Sequence, residues 1–202
     1  RGQMRIDVIT IFPDSYSSAL NESVVARARD NGIVELNIVD LRAYTHDKHR
    51  TVDERPYGGG PGMVMKPEPL FEAVEDLSAG DKQTRVILLT PQGKRYTQET
   101  AETYAANEHL ILMCGHYEGV DERVREALVD EEISVGDFIM TNGNLAAMMV
   151  VDSVVRLLPG ALGSPVSAEE ESFDASGLLD YPQYTRPQNF RGRQVPQGLL
   201  SG

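Results

Sequence analysis

Cysteine is nearly absent from this chain of 202 residues: Cys114 is the only one. A single thiol closes no disulfide within the chain, which excludes a disulfide framework and is compatible with the cytosol. Cys114 ends an apolar run, where a buried structural thiol is expected rather than a nucleophile. Long apolar runs are missing as well. The longest, residues 145–151, stops at Asp152, far short of the ~20 residues that a helix needs to cross a bilayer. No signal-peptide pattern opens the chain, and Arg1, Gly2 and Gln3 precede Met4 as an apparent addition ahead of the start. The expectation is a cytoplasmic protein with no membrane contact.

Positive charge is scarce. Lysine and arginine number 19 against 31 acidic residues, a net charge of −12. Taken alone, that balance argues against nucleic acid, because phosphate binding needs local positive charge. The basic residues are unevenly spread, however. Lys48, His49, Arg50 and Arg55 gather in one stretch, and Arg186, Arg191 and Arg193 in another. A basic groove on an acidic protein and plain solvated surface charge both fit. His46 and His49 are three apart, but no further histidine or cysteine cluster completes a zinc set, so no metal site is read. Phosphate contact by Lys48, His49 and Arg50 is the better reading of that stretch.

Hydrophobic residues make up 41% and charged residues 25%, enough apolar material for one domain with a sizeable core. Periodicity predicts strands over residues 5–12, 33–39, 85–90, 109–114 and 133–141, and helices over 14–31, 67–77, 97–107, 121–130 and 145–158. Residues 41–65 read as a long loop. Strands alternating with helices imply an α/β domain with a mainly parallel sheet flanked by helices. From Ser164 onward Pro165, Pro182, Pro187 and Pro196 break any regular pattern. A structureless stretch of this length points to a functional loop or a linker.

The chemistry-bearing stretches are turns. The run Pro56-Tyr57-Gly58-Gly59-Gly60-Pro61-Gly62-Met63 fits neither a dinucleotide fingerprint nor a Walker loop. Its glycines let a ligand approach the main chain, and its two prolines stiffen it, as in a shaped pocket wall. Gly115-His116-Tyr117-Glu118-Gly119 follows a strand and opens a helix, and Asn142-Gly143-Asn144 follows another strand. In open α/β sheets ligands gather beyond the carboxyl ends of the strands, so the turns after Thr90, Cys114 and Thr141 are expected to converge on one pocket. The acidic run Glu169-Glu170-Glu171 reads as a solvated loop or as the seat of a general base.

Taken together, Thr45-His46-Asp47, His49-Arg50-Thr51-Val52-Asp53, the run from Pro56 to Met63, Tyr117-Glu118-Gly119-Val120-Asp121-Glu122-Arg123-Val124, Tyr184-Thr185-Arg186-Pro187 and Leu199-Leu200-Ser201-Gly202 resemble the bacterial tRNA (guanine-37-N1)-methyltransferase family, TrmD type, of the SPOUT superfamily. The motifs recur in the family's order from Met4 to the last residue. The resemblance implies an α/β fold with a C-terminal trefoil knot, a homodimer with active sites at the subunit interface, tRNA as substrate and S-adenosylmethionine as methyl donor. It associates magnesium with activity, for which no site is read. Carried over by position, it implies methyl-donor contacts from Leu88, Leu89, Thr90, Gly115, Tyr117, Glu118, Val135, Gly136, Phe138, Met140 and Gly143. It further implies substrate contacts from His49, Arg50, Tyr57, Gly58, Gly59 and Gly60, with Arg156 stabilising charge on guanine O6 and Glu171 in the position of the proton-accepting Asp.

Four residues depart from the family pattern: Asn142 stands where the family has glycine, Asn144 where it has Glu, Ala146 where it has proline, and Glu171 where it has Asp. These departures keep a second reading open, a non-catalytic relative that retains the dimer and binds ligand or RNA. The expected organisation is a knotted methyl-donor domain over residues 1–163, then an irregular segment over 164–202. That segment would lead toward a basic helical domain that lies outside this chain.

Overall fold

The computed structural model describes residues 2–79, 81, 83–162 and 181–200. The chain forms two compact units, Arg1–Pro165 and Val166–Gly202. The first is built on five parallel strands, β1 (Met4–Thr10), β2 (Val34–Asp40), β5 (Arg85–Arg95), β6 (His109–Cys114) and β7 (Glu131–Ser134), in the order β2-β1-β6-β5-β7. Two short strands, β3 (Asp53–Glu54) and β4 (Val64–Met65), pair antiparallel apart from this sheet.

The sheet is covered on both faces, and the strand sequences say why. Every residue of the central strand β6 is buried, as expected where helices pack on both sides of a parallel sheet. Along it Leu110, Leu112 and Cys114 enter one core with Ile6, Val8, Ile87 and Leu89. The intervening Ile111 and Met113 enter the other with Ile9, Val86 and Leu88. That two-residue alternation is the strand pleat. Each such buried aliphatic side chain contributes roughly 1.5–3 kcal/mol relative to exposure. The first core is closed by α1 (Ser23–Asp30), α3 (Gln98–Ala105) and α5 (Asn144–Val155). The second is closed by α2 (Pro67–Ser78) and α4 (Glu122–Leu128). Pro67 opens α2 at a position where its missing N–H costs nothing. Thr97 caps α3 by accepting from the Thr100 amide at 3.3 Å.

Four expected elements come out differently. The helix expected over 14–31 divides into a 3-10 turn at Pro13–Tyr16 and α1, and Ser23 takes a left-handed backbone at the junction (φ 55°). The loop expected over 41–65 contains a 3-10 turn at Leu41–Tyr44 and the β3–β4 pair. The strand expected to end at Thr90 runs on to Arg95, its pairing with β7 shifting register between Leu89 and Lys94. The strand expected over 133–141 is only Glu131–Ser134. Ser134 Oγ bonds both the amide and the carbonyl of Gly136, at 3.3 and 3.0 Å, and curls the chain out of the sheet. In the second unit, where irregular chain was expected, β8 (Asn189–Phe190) and β9 (Arg193–Gln194) form a small antiparallel pair. Among the described residues no helix is long and apolar enough to cross a membrane.

Candidate active site

Three segments leave the carboxyl edge of the sheet side by side and enclose a cavity of about 610 Å³. The first is the end of β5, residues 88–92. The second is the turn after β6, residues 115–120. The third is the irregular stretch after β7, residues 135–143, which feeds directly into α5.

The middle turn is the tightest. Tyr117 and Gly119 both take positive φ, 57° and 125°, a conformation that is costly for a residue with a side chain and is held only by surrounding structure. That structure is the glycine-rich loop. The Glu118 amide donates to the Met63 carbonyl at 2.9 Å, the Met65 amide to Gly119 at 2.9 Å, and the Asp121 amide back to Met65 at 3.0 Å. Gly62, at φ 78°, lies so close to the Glu118 carboxylate that a side chain there would overlap it. Asp121 then caps α4 by accepting from the Arg123 amide at 3.0 Å.

The third segment is fixed to the second through glycine. The Gly143 amide donates to the Gly115 carbonyl at 2.9 Å, and a Cβ on Gly143 would lie 3.0 Å from Cys114 Cα and 3.1 Å from the Gly115 nitrogen. Asn142 turns its side chain back, its Oδ1 accepting from the Asn144 amide at 2.9 Å, which caps the start of α5. Asn144 is buried and its amide group is fully engaged. Its Oδ1 accepts from Thr10 Oγ1 at 2.9 Å and from the Tyr16 hydroxyl at 3.2 Å, and its Nδ2 donates to Ser15 at 3.3 Å. Asn142 and Asn144 therefore brace the ligand loop, and Ala146 packs in the core beneath the cavity.

The walls combine apolar side chains with a few charges. Glu118, Glu122 and Arg125 reach the cavity, and Arg125 is held by Glu132 at 2.7 Å and Glu122 at 2.8 Å. Burial and the nearby Asp53 carboxylate raise the Tyr117 hydroxyl above its ordinary range, against the pull of Arg42, so it stays protonated. Cys114, behind the cavity, has its thiol pushed up to about 12 by burial, which a hydrogen bond from Tyr16 only partly offsets. Among the described residues no group of three His, Cys, Asp or Glu side chains gathers as a metal site.

Every residue expected to contact the methyl donor lines this one cavity: Leu88, Leu89 and Thr90 from β5, Gly115, Tyr117 and Glu118 from the middle turn, and Val135, Gly136, Phe138, Met140 and Gly143 from the third segment. The expected substrate residues lie elsewhere. His49, Arg50, Tyr57, Gly58, Gly59 and Gly60 do not line the cavity and are all exposed. Arg50, at φ 52°, is drawn toward the Asp40 carboxylate at 3.2 Å and the Arg42 carbonyl at 3.3 Å. The glycine loop that carries Tyr57 to Gly60 is nonetheless tied through Met63 and Met65 to the cavity's middle turn. Arg156 follows α5, half-buried, and also lies away from the cavity. At 1.5 Å per residue it is about 20 Å along the helix from Gly143. Glu171 falls outside the described residues. Sequence reasoning missed His116, Gln92, Ile139 and Asn142 among the lining residues. Their position between expected contacts was the available signal.

The chain matches the family model described as tRNA (Guanine-1)-methyltransferase TrmD over residues 4–202. A tRNA (guanine-N(1)-)-methyltransferase from Moorella thermoacetica is 60% identical over 201 residues, covering 98% of this chain and 80% of that protein. The corresponding protein from Geobacillus kaustophilus is 56% identical, covering 98% and 81%. A crystal structure of the tRNA (m1G37) methyltransferase from Aquifex aeolicus superposes with a TM-score of 0.84 at 40% identity, covering all of this chain and 84% of that one. The chain belongs to the tRNA (guanine-N1)-methyltransferase family.

Proposed function

We propose that this chain methylates N1 of a guanine in tRNA, at position 37 as the Aquifex relative's name specifies, taking the methyl group from S-adenosylmethionine bound in the cavity. The observation that carries the reading is the convergence of three strand-end segments on that one cavity. Its volume suits a nucleoside-sized ligand. Leu88, Leu89, Phe138 and Met140 offer apolar walls to a purine. The backbone beside Gly115 and Gly143 is open to close approach, and Glu118 offers a carboxylate to hydroxyls or to positive charge. S-adenosylmethionine, when bound, supplies an electrophilic methyl group.

Guanine N1 carries a proton that must leave as the methyl arrives. Glu171 is proposed to accept it, and Arg156 to stabilise the negative charge that moves onto O6. Arg156 sits at the opposite end of α5 from the cavity. The proposal is therefore a homodimer in which a second copy brings Arg156 to the site. In its support, α5 turns Leu145 and Met149, one helical turn apart, outward at 59% and 50% exposure, and Ile139 at the cavity rim is 80% exposed. His49, Arg50, Tyr57 and the run Gly58 to Gly60 are proposed as the RNA-contacting surface, which goes with a cytoplasmic site of action. The trefoil knot is proposed as well, and the tie of Gly143 to Gly115 supports it.

Single-turnover methyl transfer with the parent and Glu171→Gln tests the chemistry. The variant should lose transfer and keep S-adenosylhomocysteine binding. A variant as fast as the parent removes Glu171 from the mechanism, and a parent that binds ligand without transferring methyl supports the non-catalytic reading instead.

A further inference from the structure

We propose that His116 is a ligand-contacting residue of the cavity, its Nδ1 pairing with a ribose hydroxyl of the bound nucleoside. The proposal rests on the reading of the cavity as the S-adenosylmethionine site. His116 lines that cavity between Gly115 and Tyr117. Its ring is clamped by two aromatic rings, Phe12 at 5.1 Å and Tyr117 at 4.3 Å between centroids, both edge-on. These contacts fix the imidazole plane without using its nitrogens. Among the described residues Nδ1 is the one buried side-chain nitrogen or oxygen with no hydrogen-bond partner.

Buried polar atoms in folded proteins are nearly always paired, and an orphan beside a cavity calls for a partner that arrives with the ligand. A hydroxyl suits an imidazole nitrogen in either tautomer, because it can donate or accept. Glu118, two residues on in the same turn, brings a carboxylate to the same cavity. An acidic side chain beside a nucleoside site commonly takes a ribose hydroxyl, so the turn presents two groups for a diol. Tyr117 between them is held at positive φ, which keeps His116 and Glu118 at a fixed spacing. The family resemblance named Gly115, Tyr117 and Glu118 and passed over the residue among them.

The test is calorimetry of S-adenosylhomocysteine on the parent, His116→Phe and His116→Asn, with adenosine and 2′,3′-dideoxyadenosine as second probes. His116→Phe keeps the ring and should weaken S-adenosylhomocysteine about tenfold, the scale of one hydrogen bond with its partner left unpaired. His116→Asn, which sets a polar atom near the place of Nδ1, should recover part of that loss. The His116→Phe penalty should persist for adenosine and vanish for the dideoxy analogue, which lacks the diol. Selective ¹⁵N labelling of histidine in the parent gives a readout that needs no variant to fold: the His116 Nδ1 resonance should shift on adding S-adenosylhomocysteine. An unchanged resonance, unchanged affinity in His116→Phe, or an equal penalty for both nucleosides would overturn the role of His116 while leaving the cavity assignment intact. No binding of S-adenosylhomocysteine by the parent would overturn the cavity assignment itself.

Discussion

The amide of Gly143 donates a 2.9 Å hydrogen bond to the carbonyl of Gly115, joining the segment after β7 to the turn after β6. Those residues are 28 apart in sequence (143 − 115), and the bond sets the width of the cavity between them. Gly143 has an ordinary φ of −82°, so the reason for glycine there is space. A methyl group would press on main-chain atoms of Cys114 and Gly115, which cannot rotate away. Gly143→Ala should cost ~1–3 kcal/mol of stability by overpacking and weaken S-adenosylhomocysteine at least about tenfold. Denaturant unfolding and calorimetry on the same preparation check both.

Asn144 is the second brace. Its carbonyl oxygen serves Thr10 and Tyr16 in a buried setting. Asn144→Ala strands two hydroxyls and should cost roughly 1–3 kcal/mol, with the loss visible as a lower urea midpoint at unchanged slope. An unchanged midpoint would mean that the Thr10–Tyr16–Asn144 network contributes nothing net.

Much of this arrangement was legible in the sequence, and the reasons divide cleanly. The alternation of buried residues in β1, β5 and β6 follows from a two-residue pleat, so the parallel α/β layout could be read directly. The ends of elements could not. Ser134 bending the chain through its own hydroxyl, and β5 continuing past Pro91 along β7, depend on tertiary partners. At the site, the turns at strand ends could be expected to converge, and the residues carried over by resemblance do so. The orphaned Nδ1 of His116 and the distance of Arg156 from Gly143 are visible only in three dimensions.

At the amino ends of the strands, Asp7 is fully buried and bonds His109 Nε2 at 2.7 Å and Asn37 Nδ2 at 2.9 Å, with Arg5 at 3.0 Å. Burial alone would raise its pKa, but the bonds from His109 and Asn37 and the charge of Arg5 outweigh it, and the carboxyl is held below its ordinary value. A carboxylate depressed in the folded state adds stability that is present above the unfolded value of ~3.9 and is lost as pH falls through the folded one. Asp7→Asn should therefore be less stable than the parent at pH 7, and the gap should narrow below about pH 4. A gap that is constant across that window would show that the carboxylate is not linked to folding.

Cys114 is buried against Tyr16, with its thiol pushed up to about 12. A thiol in that state is protonated at pH 8 and shielded from reagents. Native protein should show almost no reaction with a thiol-disulfide reagent over the time in which urea-unfolded protein reacts completely. Rapid native reaction would contradict the burial.

The most direct test of the central claim is to incubate the chain with S-adenosylmethionine and a tRNA transcript carrying guanine at positions 36 and 37, then map the methylated nucleoside. The account predicts 1-methylguanosine at position 37, formed in a single turnover by the parent and lost in Glu171→Gln. Ligand binding without any methylated guanosine, or a methyl group at another atom or position, would contradict it.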